Sequence, residues 1–315
     1  SALLNVSSFA ELLRFEFGEK SEMARSLEDQ ERKAAYAYED AMQAFGDRVG
    51  DFFATLAGGR LAGEQLRFDL AQPTLTVGTG DNERSMSQLQ GIQALLMWQQ
   101  EDGRRHMEGS FDENAKPSGK WHYGEEWVKD LESKLSPEAY QVKAFLEQLY
   151  SEEYQPLNTI YRQRHGVNLP KNERYSPITV QPMQAKEGEM VDPVSGFAVT
   201  GSILTPGGLR TRNKRSVAEP RFDDAVQIFL GHSRQMEHWK AYYDFATDAQ
   251  AILLNREVTN AVEAKGSTQA VTVLKKWVDQ FAQGGSRDAQ SGLEISSVYS
   301  RASGRAARVA LLGRI

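Results

Sequence analysis

The stretch Met23–Gly59, MARSLEDQERKAAYAYEDAMQAFGDRVGDFFATLAGG, decides the fold class. Its apolar residues recur at Met23, Leu27, Ala34, Tyr38, Met42, Phe45, Val49, Phe52 and Leu56, in threes and fours with a single seven. Steps of that size return side chains to one side of a 3.6-residue turn, so the stretch predicts one long amphipathic helix. Gly58-Gly59 then supplies the permissive backbone on which a helix ends.

The same period runs through most of the chain. Leu61 to Asp81, with Pro73, Gly78 and Gly80, reads as a turn-rich connector. Ser87 and Gln90 make a capping box for a helix carrying Leu89, Ile92 and Leu96, bounded by Gly103 and Gly109. Tyr123, Trp127 and Leu131 space out a short helix. Ser136-Pro137 signals a restart, because proline at the first helical position has no amide to waste. That helix carries Val142, Leu146, Leu149, Leu157 and Ile160 and closes at His165-Gly166, with Pro156 expected to kink or split it. Beyond Asp223, a helix N-cap, Val226 and Phe229 serve a short piece and Met236, Trp239, Tyr243 and Ala246 a longer one, continued by 255–264. Two more helices are expected, from Ser267 to Phe281 and over Ile295 to Val309.

Residues 168–221 differ in kind. They hold six of the ten prolines and little helical pattern. Tyr175–Val180 reads as a short strand or extended arm, confined to an edge by proline. The expected fold is therefore all-α with little β: a helical block over 1–167, a proline-rich arm over 168–221 and a second helical block over 222–315. Both ends read as cuts in a longer protein, since Ser1–Asn5 has neither initiator Met nor charged leader and Arg301–Ile315 stops without a cap.

Composition narrows the chemistry. The 315 residues contain no cysteine, which removes disulfides, thiolate metal sites and thiol nucleophiles. No run of 18 apolar residues is present for a transmembrane helix. The net charge of −6 divides unevenly, with 16 Lys+Arg against 11 Asp+Glu from Thr205 onward and the excess of acid before it. Among the five histidines, His232 and His238 are six apart and fall on opposite faces of a helix, the wrong spacing for paired ligands. No G-x-S-x-G elbow surrounds a serine, and Gly119-Lys120 lacks the Ser or Thr of a phosphate loop. The pairs Glu125-Glu126, Glu152-Glu153 and Asp223-Asp224 read as solvated helix faces or helix-start charges. Aromatics such as Tyr36, Tyr38, Phe45, Trp239 and Tyr243 read as core. No catalytic residue, metal ligand or cofactor is assigned. The candidate binding residues are Arg210, Arg212, Lys214, Arg215 and Arg221, cations in a loop able to grip phosphates without reading sequence.

A progression of short motifs carries a resemblance. It runs from Met86-Ser87-Gln88-Leu89 with Trp98-Gln99 and Gly103, through Leu157-Asn158, His165-Gly166 and Asn172–Ile178, to Leu209–Arg212, Phe222–Ala225, Leu253–Asn255, Gly266 and Ala306–Gly313. From about Ser85 onward the chain resembles the helical region of the large polyvalent proteins of phages and mobile elements. Members include internal virion proteins that leave the capsid with the genome. The resemblance implies a non-catalytic structural segment, packing against itself or other virion proteins, held in the virion interior and then delivered to the host cell. The residues themselves leave two other readings open: a nucleic-acid-binding module using the loop 210–221, and an enzyme of unrecognised class.

Overall fold

The stripe through Leu27 folds as a single helix, α1 (Glu22–Ala57), which ends at Gly58 in the left-handed region, φ 78°. The computed structural model describes residues 22–109, 121–169, 171, 174–180 and 218–265. Among these residues there are eight α-helices and one two-stranded sheet, so the chain is mostly helical as its periodicity predicts. Leu27, Ala34 and Val49 of the stripe are buried, and Phe53 joins them.

The expected connector after α1 is instead a helix and a hairpin. Helix α2 (Arg60–Leu70) turns Gly63, Leu66 and Leu70 to one side, in steps of three and four. Gly63 lies so close to α1 that a Cβ there would stand 2.6 Å from the Phe53 carbonyl carbon. Strand β1 (Pro73–Val77) buries Leu75 and Val77 on alternate positions and pairs antiparallel with β2 (Arg84–Ser87), setting Leu75 opposite Met86 and Val77 opposite Arg84. Pro73 is the first strand residue, where it takes no amide from the ladder.

Helix α3 (Gln88–Trp98) starts on the expected capping box: the Gln90 amide donates to Ser87 Oγ at 3.1 Å, and the Ser87 amide to Gln90 Oε1 at 2.8 Å. Gly103 does not bound this helix. It lies inside the next one, α4 (Glu101–Glu108), against the Met97 carbonyl, where a Cβ would meet the oxygen at 1.9 Å. Helices α5 (Glu125–Lys134) and α6 (Pro137–His165) follow, the second opened by Ser136 and closed by Gly166 at φ 71°. Pro156 does not split α6; it faces solvent, where the carbonyl it leaves without an amide can take water.

Helix α7 (Ala225–Leu254) is one element where two were expected, and its N-terminal amides at Val226 and Gln227 donate to Asp224, not Asp223. Asn255 then caps α8 (Arg256–Lys265), so the helix does not run on through it. The helices expected over 267–281 and 295–309 lie outside the described residues.

The described residues form two compact units. One comprises 42–180 and 218–236, the other 22–41 and 237–265, so α1 and α7 each supply a segment to both. In the first, Phe52 stacks on Phe145 at 4.0 Å and Phe45 meets Phe229 edge-on at 5.8 Å, tying α1 to α6 and α7. Trp127 stacks on Phe222 and Tyr123 packs against both. In the second, Leu27, Trp239, Tyr243, Phe245 and Leu253 are buried; Tyr36, expected in a core, is exposed.

Two glycine substitutions test the packing in opposite directions. Gly103→Ala must displace backbone and should cost at least about 2 kcal/mol. Gly46→Ala, on an open face of α1, should stabilise by about 0.5–1 kcal/mol. Denaturant midpoints at constant slope read both.

Candidate functional site

Polar side chains inside the first unit gather in two places, both joining segments far apart in sequence. The first surrounds the extended strap Tyr175–Val180. Gln93 on α3 donates its amide to the Pro177 carbonyl at 2.8 Å. Gln100, just past the end of α3, donates to the Ser176 carbonyl at 2.9 Å and lies 2.7 Å from its hydroxyl, which reaches the Leu96 carbonyl. All three polar side chains are buried, and Ile178 and Val180 fill the apolar space beside them. The strap forms no ladder with a strand; its one bridge is Val180 to Pro220, backed by the Arg221 amide donating to the Thr179 carbonyl at 3.0 Å and the Thr179 hydroxyl to the Arg221 carbonyl. The Ala218 amide donates to buried His106 Nδ1 at 3.0 Å and fastens the returning chain to α4.

The second gathering joins α6 to α7. Glu153 is 5% exposed, His232 4% and Ser233 fully buried. The Ser233 hydroxyl donates to Glu153 Oε1 at 2.5 Å, and His232 Nε2 stands 3.4 Å from Oε2. The rings of Tyr150 and Tyr175 flank His232 at 5.7 and 5.3 Å. Burial, with Tyr175 and Glu153 nearby, pushes the Tyr150 phenol well above its usual range, so it stays neutral.

Serine, histidine and a carboxylate in contact invite comparison with a hydrolytic triad, and the order is wrong for one. A triad places the imidazole between nucleophile and acid, so that it takes the hydroxyl proton. Here the carboxylate sits between the other two, and the hydroxyl satisfies it directly. The serine also has no exposed surface. The arrangement meets the hydrogen-bonding demand of a buried carboxylate, which is a packing function.

The second unit holds His238 between Tyr38 and Tyr242, at ring distances of 5.7 and 4.6 Å. Burial lowers its pKa to about 4, so the ring is neutral at neutral pH. Gln30 on α1 donates to Asp248 at 3.2 Å in the same unit.

Of the binding residues expected from sequence, Arg210, Arg212, Lys214 and Arg215 lie outside the described residues, as does the Gly201-Ser202 pair. Arg221 is described: its Nε donates to Asp223 at 2.6 Å, making it part of the approach to α7. Among the acidic pairs, Glu125 bonds Lys129 at the start of α5 and Glu152 bonds Arg48, both solvated as expected. Glu153 corrects that reading, being buried. The signal was present, because Glu153 falls on the same stripe as Leu146, Leu149 and Leu157. Among the described residues no group of His, Asp and Glu is placed to hold a metal ion, and no described helix is long and apolar enough to cross a membrane.

No protein-family model, no curated protein and no solved structure matches this chain.

His238 gives a pH dependence of defined sign. The unfolded ring binds a proton below its ordinary 6.5, the folded ring only near 4. Its contribution to stability is therefore complete above pH 6.5 and is lost as pH falls towards 4, by up to about 3 kcal/mol. His238→Phe keeps an aromatic ring against both tyrosines and should flatten that part of the curve, read as the wild-type minus variant difference in Tm between pH 7 and 4.

Proposed function

We propose that this chain is a non-catalytic structural segment of an internal virion protein of the ejected kind, packing against copies of itself or against other virion proteins. On this reading its helices form two blocks joined by the arm 168–221, and it resides in the virion interior before passing into the host cell. The source of the virion reading is the motif progression from Ser85 onward. The observation that carries the non-catalytic part is the Glu153–His232–Ser233 cluster: the side chains best suited to chemistry are consumed in tying α6 to α7. Gln93, Gln100 and His106 are used the same way on the strap and its return.

Light scattering behind a sizing column tests the assembly reading. The purified chain should show a mass above one protomer that rises with concentration, and replacing 181–217 by a short glycine-serine link should change it. A mass of one protomer at every concentration, unaffected by that replacement, contradicts it.

A second reading has its own support. Val180 and Pro220 are paired, so the segment carrying Arg210, Arg212, Lys214 and Arg215 leaves and rejoins the first unit at one point. A cationic loop tethered in that way can hold a polyanion while the helices stay packed. Replacing those four residues by alanine should weaken DNA binding and flatten its salt dependence by up to about four phosphate contacts. Absence of wild-type binding at low salt ends this reading.

A further inference from the structure

The groove that holds Tyr175–Val180 is built like a binding site for an extended peptide. Buried amides at two positions seven residues apart, Gln93 and Gln100, donate to successive backbone carbonyls of the strap, at Pro177 and Ser176. A small pocket takes the Ser176 hydroxyl, between Gln100 and the Leu96 carbonyl. Thr179 lies with its hydroxyl 3.7 Å from Met97 Sδ, Ile178 and Val180 occupy apolar space, and Tyr175 packs on Tyr150 and His232. This is recognition by fixed donors and pockets, in which main-chain contacts supply affinity and alternate side chains supply selectivity.

Everything the strap touches on its inner side precedes it in the chain, on α3, beyond the end of α3 and on α6; the rest is its own return at Pro220, Arg221 and His232. The link into it is thin. Leu169 is anchored, its amide donating to Asn158 at 2.8 Å, but Val167, Lys171 and Arg174 are exposed. A strap held by side chains reached through so short an exposed link makes identical contacts whether it comes from its own chain or from another. Exchange then keeps every bond and costs only the entropy of bringing two chains together.

We propose that this groove is an interface between two copies of the chain, each receiving the other's Tyr175–Val180 strap together with the chain that follows it. The proposal rests on the assembly reading above and names its partner, a second copy, and its point of contact.

Complementation by co-refolding tests it. The variant Q93L/Q100L keeps its strap and loses the donors of its groove; S176R keeps its groove and has a strap too large and charged to enter. Each alone should refold as monomer. Their mixture contains one intact groove and one intact strap, on different chains, and should give heterodimer at least 10-fold above either variant alone by native mass spectrometry. Absence of heterodimer overturns the exchange. If the wild-type chain nevertheless self-associates, the assembly reading stands without it; heterodimer from a mixture whose wild-type parent is monomeric supports the groove and contradicts native self-assembly. Should either variant lose helical ellipticity, the wild-type chain is refolded with a labelled peptide of sequence RYSPITV, residues 174–180. Peptide retained after removal of the excess supports the groove, and none retained contradicts it.

Discussion

A carboxylate taken out of water must be met by donors, and the first unit is organised around one that is. Leaving Glu153 buried without a partner would cost more than several ordinary packing contacts return. Ser233 and His232 meet it from α7, some eighty residues later in the chain. The register of α7 on α6 is thereby fixed to a single turn: a slide by one residue would put Phe229 and Leu230 out of place and the carboxylate opposite an apolar side chain. With α7 seated, Phe229 meets Phe45 and Tyr150, and the return through Arg221 and Pro220 lies against the strap.

The strap obeys the same logic with neutral groups. An extended segment crossing a core needs partners for its carbonyls, and no strand lies alongside to supply a ladder. Gln93 and Gln100 supply them instead. Buried polar groups of this kind specify one arrangement more sharply than apolar contacts do, because every alternative leaves a donor or acceptor unmet. In both places, residues that look like candidates for chemistry act as ties between distant parts of the sequence.

How much of this was legible in the sequence depends on the kind of signal. Helix ends were, wherever a side chain or a glycine fixes the backbone: Ser87 with Gln90, Ser136-Pro137, His165-Gly166 and Gly58. The α2 helix and the hairpin were not, because Gly63 and Pro73 count against regular structure locally and are favoured only by what they pack against; the strand shows just two buried positions, Leu75 and Val77. Asp223 and Asp224 are equally good caps by type, and only the Arg221 contact decides between them. The polar core was partly visible. Helix α3 is apolar on nearly every side, which marks a helix buried all round, so a glutamine on it had to be buried too. Which carbonyl it meets, 84 residues away, no local pattern states. The motif progression and the basic run Arg210–Arg215 speak to function, but the fold of the described residues does not pass through them.

The central claim is that Glu153 is a structural tie completed by α7. A double-mutant cycle measures it most directly, using Glu153→Leu, which keeps the volume, and Ser233→Ala, with unfolding free energies for all four proteins. A coupling of at least about 1 kcal/mol is the predicted result, as a hydrogen bond to a buried charge requires. Additive effects, with coupling near zero, would contradict the account.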